Sequence, residues 1–122
     1  MEHTLYHYKA IVTSVYDGDT CTVDIDLGLN TWIRNERLRL NRINAPELTG
    51  KDKPEGIKSR DFLKSNINGK EITIETIKDR REKYGRYLAE VWLEDKTGKY
   101  VNINDLMVTE GFAKYQKYLQ NF

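Results

Sequence analysis

The 122-residue chain predicts a mainly β fold of the α+β class, a five-stranded Greek-key barrel with a helix between strands three and four and another near the C-terminus. Three observations predict it. Apolar and polar residues alternate with a period of two through Cys21, Val23, Ile25 and Leu27, and again through Ile72 and Ile74. Two short turn sequences, Asp17-Gly18-Asp19 and Gly28-Leu29-Asn30, separate the first runs at hairpin spacing. Helical spacing interrupts the strands once, between Pro54 and Gly69.

The elements follow in order. Residues 6–16, rich in Tyr, Val and Ile, read as the first strand. Asp17-Gly18-Asp19 reads as a hairpin turn, because Asp and Gly tolerate left-handed dihedrals. Residues 20–27 give the second strand and residues 31–43 the third, with Leu38 and Leu40 on one face and Arg37 and Arg39 on the other. Residues 47–54 are polar, contain Gly and Pro, and read as a surface loop after Pro46. Pro54 suits the first turn of a helix reaching Asn68, with Phe62, Leu63 and Ile67 as its apolar stripe and Gly69 as its stop. Residues 70–77 and 86–94 supply strands four and five, the latter ending near the turn Asp95-Lys96-Thr97-Gly98. Asn102 suits the cap of a second helix that carries Ile103, Leu106 and Met107 inward until Gly111. The aromatic and basic residues 112–122 carry no clear element signal. This order matches an OB-type barrel filling residues 1–122 as a single domain.

Composition excludes several classes. No apolar run approaches the roughly 20 residues of a membrane span, so no membrane partner is expected. Met1–Tyr6 lacks a basic segment followed by an apolar one, so no secretory signal is read. The compartment stays open between cytoplasm and a form whose signal has been removed. Cys21 is the only cysteine and lies in the apolar parity of a strand, which points to burial and not to a catalytic thiol. His3 and His7 stand far from the other motifs and suggest no zinc site. Net charge is only +1, from 20 basic and 19 acidic residues, so bulk electrostatics gives no argument for nucleic acid. The cations are nonetheless clustered, Arg34, Arg37, Arg39 and Arg42 in one segment and Lys78, Arg80, Arg81, Lys83 and Arg86 in another.

Three motifs then bear on chemistry. An acidic turn, Asp17-Gly18-Asp19-Thr20, precedes Arg39-Leu40-Asn41-Arg42-Ile43-Asn44-Ala45-Pro46-Glu47, and Lys83-Tyr84-Gly85-Arg86 follows later. Metal-assisted cleavage of a phosphodiester needs this combination. Carboxylates hold a divalent cation, an acid group activates water, and guanidinium groups stabilise the charged phosphorane. Arg39 and Arg86 are the candidate forks to phosphate, a geometry that lysine does not reproduce. Glu47 is the candidate base and must lie within one hydrogen bond of its water. Asp19 is a candidate cation ligand and Asp17 primarily a turn former. Tyr115 and Tyr118, with Lys114 and Lys117, suit either base stacking or packing.

With these motifs in this order, from about Tyr8 to Lys114, the chain resembles the thermonuclease family, the staphylococcal nuclease-like domains; Val101-Asn102 leading to Gly111-Phe112-Ala113 adds to the likeness. The resemblance implies an OB-barrel enzyme that hydrolyses DNA, RNA or both with calcium as cofactor. It implies a metal site formed by Asp19, Asn44 and the backbone carbonyl of Ala45, catalytic roles for Arg39, Glu47 and Arg86, and substrate contacts from Lys83 and Tyr84. A monomer without an obligate protein partner is expected. Two departures stand out. Asn44 occupies a position where the family usually has aspartate, and an amide oxygen ligates a hard cation without charge. A third helix is common near the family's C-terminus, and the expectation here is a truncated or minimal version. The first departure sustains an alternative, an OB-fold nucleic-acid-binding module with weak or no catalysis.

Overall fold

The computed structural model describes residues 5–116. Strands β1 (His7–Asp17), β2 (Thr20–Asp26), β3 (Trp32–Leu40) and β4 (Ile43–Asn44) precede helix α1 (Lys53–Ile67). Strands β5 (Glu71–Arg81), β6 (Tyr87–Glu94) and β7 (Tyr100–Asn102), helix α2 (Ile103–Thr109) and strand β8 (Lys114–Tyr115) complete it. The main sheet runs β3-β2-β1-β5-β6, and a parallel pairing of Leu38–Leu40 with Tyr87–Ala89 closes it into a five-stranded barrel. Closure removes the open edges of the sheet. The far half of β6 pairs with β7 instead.

The alternating residues fill the barrel. Val12, Cys21, Val23, Leu38, Leu40, Ile74, Ala89 and Val91 are fully buried and pack with Leu63 and Ile67 of α1 and Met107 of α2. Burial pushes the Cys21 thiol up to about 12, as suits an inert core position. The buried face of α1 is Gly56, Ser59, Leu63 and Ile67, one stripe at helical spacing. Phe62 lies beside it and stacks on Phe112 at 4.4 Å. Asn102 caps α2, its side chain accepting from the Asp105 N–H at 2.9 Å.

Several boundaries differ from the sequence expectation, each for a local reason. The third strand breaks at Arg42, which adopts φ +69°, and Ile43–Asn44 pair separately with Lys114–Tyr115. That pairing gives part of the 112–122 segment a place the sequence does not signal. It is closed by a cluster in which Arg42 forks onto Glu90 at 2.6 and 3.0 Å and reaches Asp105 at 2.9 Å, while the Tyr115 hydroxyl donates to Asp105. The fourth strand runs on to Arg81 past an irregularity at Lys78 and Asp79, both at positive φ. The acidic turn uses no left-handed dihedral. Gly18 is needed because a Cβ there would lie 1.9 Å from the Ser59 hydroxyl and 2.7 Å from the Ala45 Cβ. Residues 47–54 include a 3-10 turn at Gly50–Asp52 before α1 begins.

Candidate active site

The tip of the β1–β2 hairpin, the end of β3, the Asn44–Glu47 segment and the β5–β6 turn enclose one cleft of about 780 Å³. Its lining includes Asp17, Asp19, Arg37, Arg39, Asn44, Ala45, Glu47, Tyr84 and Arg86. Three distant stretches of sequence therefore share a wall. The cleft balances three guanidinium groups, Arg37, Arg39 and Arg86, against the carboxylates Asp17, Asp19 and Glu47. Such a mixture suits a cation and a phosphate held side by side better than a uniformly basic groove does.

Asp19 lies at the bottom and is 6% exposed. Its Oδ2 accepts from the Ala45 N–H at 2.8 Å and sits 3.2 Å from Arg39 Nη2, and its Oδ1 accepts from the Thr20 hydroxyl at 3.3 Å. The turn is tightened by the Asp19 N–H donating to Asp17 Oδ1 at 3.1 Å. Burial raises the Asp19 carboxyl to about 6, helped by the charge of Asp17 and opposed by Arg39.

The position of Arg39 on β3 puts its side chain opposite the Leu38 and Leu40 side chains, as the alternation predicts, yet the residue is only 4% exposed. It is folded along the floor of the cleft. Nη1 donates to the carbonyls of Leu40 at 2.7 Å and Ile43 at 2.9 Å, and Nη2 donates to Asn44 Oδ1 at 3.4 Å. Its guanidinium is thus held between the end of β3 and the start of β4.

Arg86 reaches the same floor from the other side. Nη1 donates to the Thr20 hydroxyl at 3.0 Å, while Nε and Nη2 fork onto Glu82 at 3.1 and 3.0 Å. Glu82 also accepts the N–H groups of Tyr84 and Arg86, both at 2.9 Å, so it shapes the turn as well as holding the guanidinium. Burial raises the Glu82 carboxyl, but the bonds from the Arg86 side chain and the two backbone N–H groups outweigh it and leave it below its ordinary value. A continuous polar chain runs Glu82–Arg86–Thr20–Asp19–Arg39–Asn44.

Glu47 is exposed at the rim. Its backbone is fixed by Gly56, where a Cβ would lie 2.2 Å from the Glu47 carbonyl oxygen and 3.0 Å from that of Pro46. Tyr84 lines the cleft and is 63% exposed, whereas Lys83 lies outside the lining with Nζ 5.1 Å from the Tyr84 ring centre.

Other expected participants lie elsewhere. Arg34 pairs with Asp24, Arg81 with Glu36 and Arg42 with Glu90, so the cationic clusters contribute only Arg37, Arg39 and Arg86 to the cleft. His7 faces Glu75 at 3.8 Å. Tyr115 bonds Asp105, with Arg42 over its ring, and Lys114 pairs across to Asn44. His3, Lys117 and Tyr118 lie outside the described residues. The sequence reading missed Glu82, Gly56 and Tyr16 as cleft builders, and it named Thr20 only within the acidic turn and Arg37 only within a cationic cluster. Of the three missed, Glu82 left a usable trace, four residues before Arg86.

Among the described residues no three His, Cys, Asp or Glu side chains converge as a metal cage. The donors that do converge are oxygens, the carboxylates of Asp17 and Asp19 and the exposed amide of Asn44. An all-oxygen set with few charges and room for water fits a hard cation such as calcium. No helix among the described residues is long and apolar enough to cross a membrane.

Comparison with known proteins adds an independent line. The profile of the staphylococcal nuclease homologue family matches residues 37–122. Two thermonucleases are similar over most of this chain. That of Staphylococcus hyicus is 32% identical over 118 residues, covering 94% of this chain and 62% of its own length. That of Staphylococcus intermedius is 31% identical over 114 residues, covering 91% and 61%. An uncharacterized protein of Methanocaldococcus jannaschii is 26% identical over 137 residues, covering 95% of this chain and 62% of its own length. The chain thus spans about three fifths of the length of the curated relatives it matches.

Proposed function

Because the chain belongs to the staphylococcal nuclease homologue family, we propose that it is a calcium-dependent nuclease hydrolysing phosphodiester bonds of DNA, RNA or both. The observation that carries this reading is the meeting of Asp19, Glu47, Arg39 and Arg86 in one 780 Å³ cleft, from three separate stretches of chain. Similarity to two thermonucleases supports it.

In this mechanism Glu47 accepts a proton from the attacking water. Its rim position leaves the carboxylate reachable by water and close to the phosphate that the cleft would hold. Arg39 and Arg86 present guanidinium groups from two sides of the cleft floor and stabilise charge that grows on the phosphoryl oxygens. Arg39 is held in place by two backbone carbonyls, and Arg86 by Glu82, so little reorganisation is needed as charge develops. Tyr84, and Lys83 just beyond the lining, contact the substrate's phosphates at the outer edge. Asp19, Asn44 and the Ala45 carbonyl would hold calcium, with Asp17 at hand. When bound, that cation supplies Lewis-acid stabilisation of the phosphoryl oxygen.

Asn44 favours one second reading. It brings an uncharged oxygen to the cation site, and one unit charge near 4 Å is worth roughly 4 kcal/mol per unit of partner charge at an effective dielectric of about 20, before desolvation. A protein so weakened would bind nucleic acid and cut it poorly. Cleavage of denatured DNA, followed with calcium titrated against EDTA, separates the two. Calcium-dependent cleavage supports the nuclease. Salt-sensitive binding without cleavage at any calcium concentration supports the module.

A further inference from the structure

We propose that Tyr16 and Arg37 form a second nucleotide subsite beside the scissile centre, with Arg37 on a neighbouring phosphate and Tyr16 stacked on its base. The inference rests on reading the cleft as a nucleic-acid site and adds an element to it. The cleft does not stop at the scissile centre. It continues across the outer face of the barrel, where Ser14, Thr22 and Arg37 line it as one row, paired strand to strand. The neighbouring row holds Asp17, Thr20 and Arg39. Arg37 and Arg39 are two residues apart on β3, a rise of about 6.6 Å. That spacing is comparable with the distance between successive phosphates of an extended strand.

Arg37 differs from the other surface arginines of its cluster. Arg34 and Arg42 face carboxylates at 3.1 and 2.6 Å, whereas Arg37 is exposed and donates to the neutral carbonyl of Tyr84 at 3.3 Å. A bond of that length to a carbonyl exchanges readily for a charge-assisted bond to phosphate. The hydroxyls of Ser14 and Thr22 beside it suit a sugar-phosphate backbone.

Tyr16 supplies the base contact. Val15 pairs with Cys21 and Asp17 with Thr20, so Tyr16 is the extra residue of a β-bulge. A bulge turns a side chain out of the regular alternation, and here it leaves an exposed tyrosine in the cleft lining. The ring is 68% exposed and lies outside the core cluster, so folding gives no reason for it. An exposed tyrosine beside a phosphate row is a stacking platform for one base. Stacking requires a base with an uncovered face, which an unpaired strand provides and a duplex does not.

The test measures anisotropy of labelled oligothymidylate and of an abasic strand with the same phosphates, in EDTA and over a salt series. Hydrolysis of oligothymidylate and of a chromogenic mononucleotide diester is measured separately in calcium. The expected results are these. Arg37→Ala weakens binding of both strands and lowers the salt slope by about 0.7, and Arg37→Lys restores that slope. Tyr16→Ala weakens oligothymidylate binding about tenfold and abasic binding far less, and Tyr16→Phe behaves as wild type. In hydrolysis each alanine variant loses at least fivefold more on the oligonucleotide than on the mononucleotide diester. A wild-type salt slope in Arg37→Ala, or equal losses on both strands in Tyr16→Ala, overturns the subsite, even if the protein is a nuclease. Binding with the expected variant pattern but no cleavage overturns the nuclease and keeps the subsite. No strand binding by the wild type at low salt in EDTA overturns the subsite, and no cleavage at any calcium concentration overturns the nuclease.

Discussion

A Cβ on Gly56 would lie 2.2 Å from the carbonyl oxygen of Glu47, so the first turns of α1 rest directly on the backbone that carries the proposed base. Backbone cannot move aside as a flexible side chain can. Gly56→Ala is expected to lower unfolding free energy by about 1–3 kcal/mol and to push the Glu47 segment outward. A displacement near 1 Å costs on the order of a hundredfold in turnover. Urea midpoints and kcat on denatured DNA check both. A variant with normal turnover would show that the helix does not position Glu47.

The two arginines should differ in what they do for folding. Arg39→Lys and Arg86→Lys each lower turnover more than tenfold while the domain stays folded, because an ammonium replaces a planar fork. Arg39→Ala is expected to destabilise as well, by about 3 kcal/mol, because it strips Asp19 of a buried partner and leaves two carbonyls unmatched. Retained activity in both lysine variants would remove the arginine clamp from the account.

Asn44 sets the expected calcium requirement. Asn44→Asp restores a charge beside Asp19, so the calcium concentration giving half-maximal cleavage should fall tenfold or more. Calorimetric titration of calcium without substrate should show the same direction. An unchanged calcium dependence would mean that Asn44 does not contact the cation.

Glu82 gives a pH signature. Its folded carboxyl lies below the ordinary 4.5, so its contribution to stability is complete above that pH and disappears as pH falls through the lower folded value. Glu82→Gln should cost roughly 1–2 kcal/mol at pH 7. Wild type and variant should converge in strong acid. A gap that persists there would assign the effect to packing instead of charge.

Much of this architecture was legible in the sequence because it repeats with a period. Cys21, Val23 and Ile25 alternate, Leu63 and Ile67 lie on one helix face, and Asn102 signals its own cap. That Asp19, Glu47, Arg39 and Arg86 would share one cleft was legible because they belong to motifs read in a fixed order. What stayed hidden depends on partners far away in the chain. Nothing local to Lys114-Tyr115 announces a pairing with Ile43–Asn44. The need for Gly18 and Gly56 comes from Ser59 and Glu47, not from their own dihedrals. The bulge that frees Tyr16 is a register shift, visible only when both strands are in hand. Arg42 looked like its neighbours until its turn carried it away from the cleft to Glu90.

The measurement that bears most directly on the central claim compares wild type with Glu47→Gln for calcium-dependent cleavage of single-stranded DNA, alongside strand affinity in EDTA. If Glu47 accepts the proton of the attacking water, cleavage falls by about a hundredfold to ten-thousandfold while affinity changes little. Cleavage by Glu47→Gln at the wild-type rate would contradict the account.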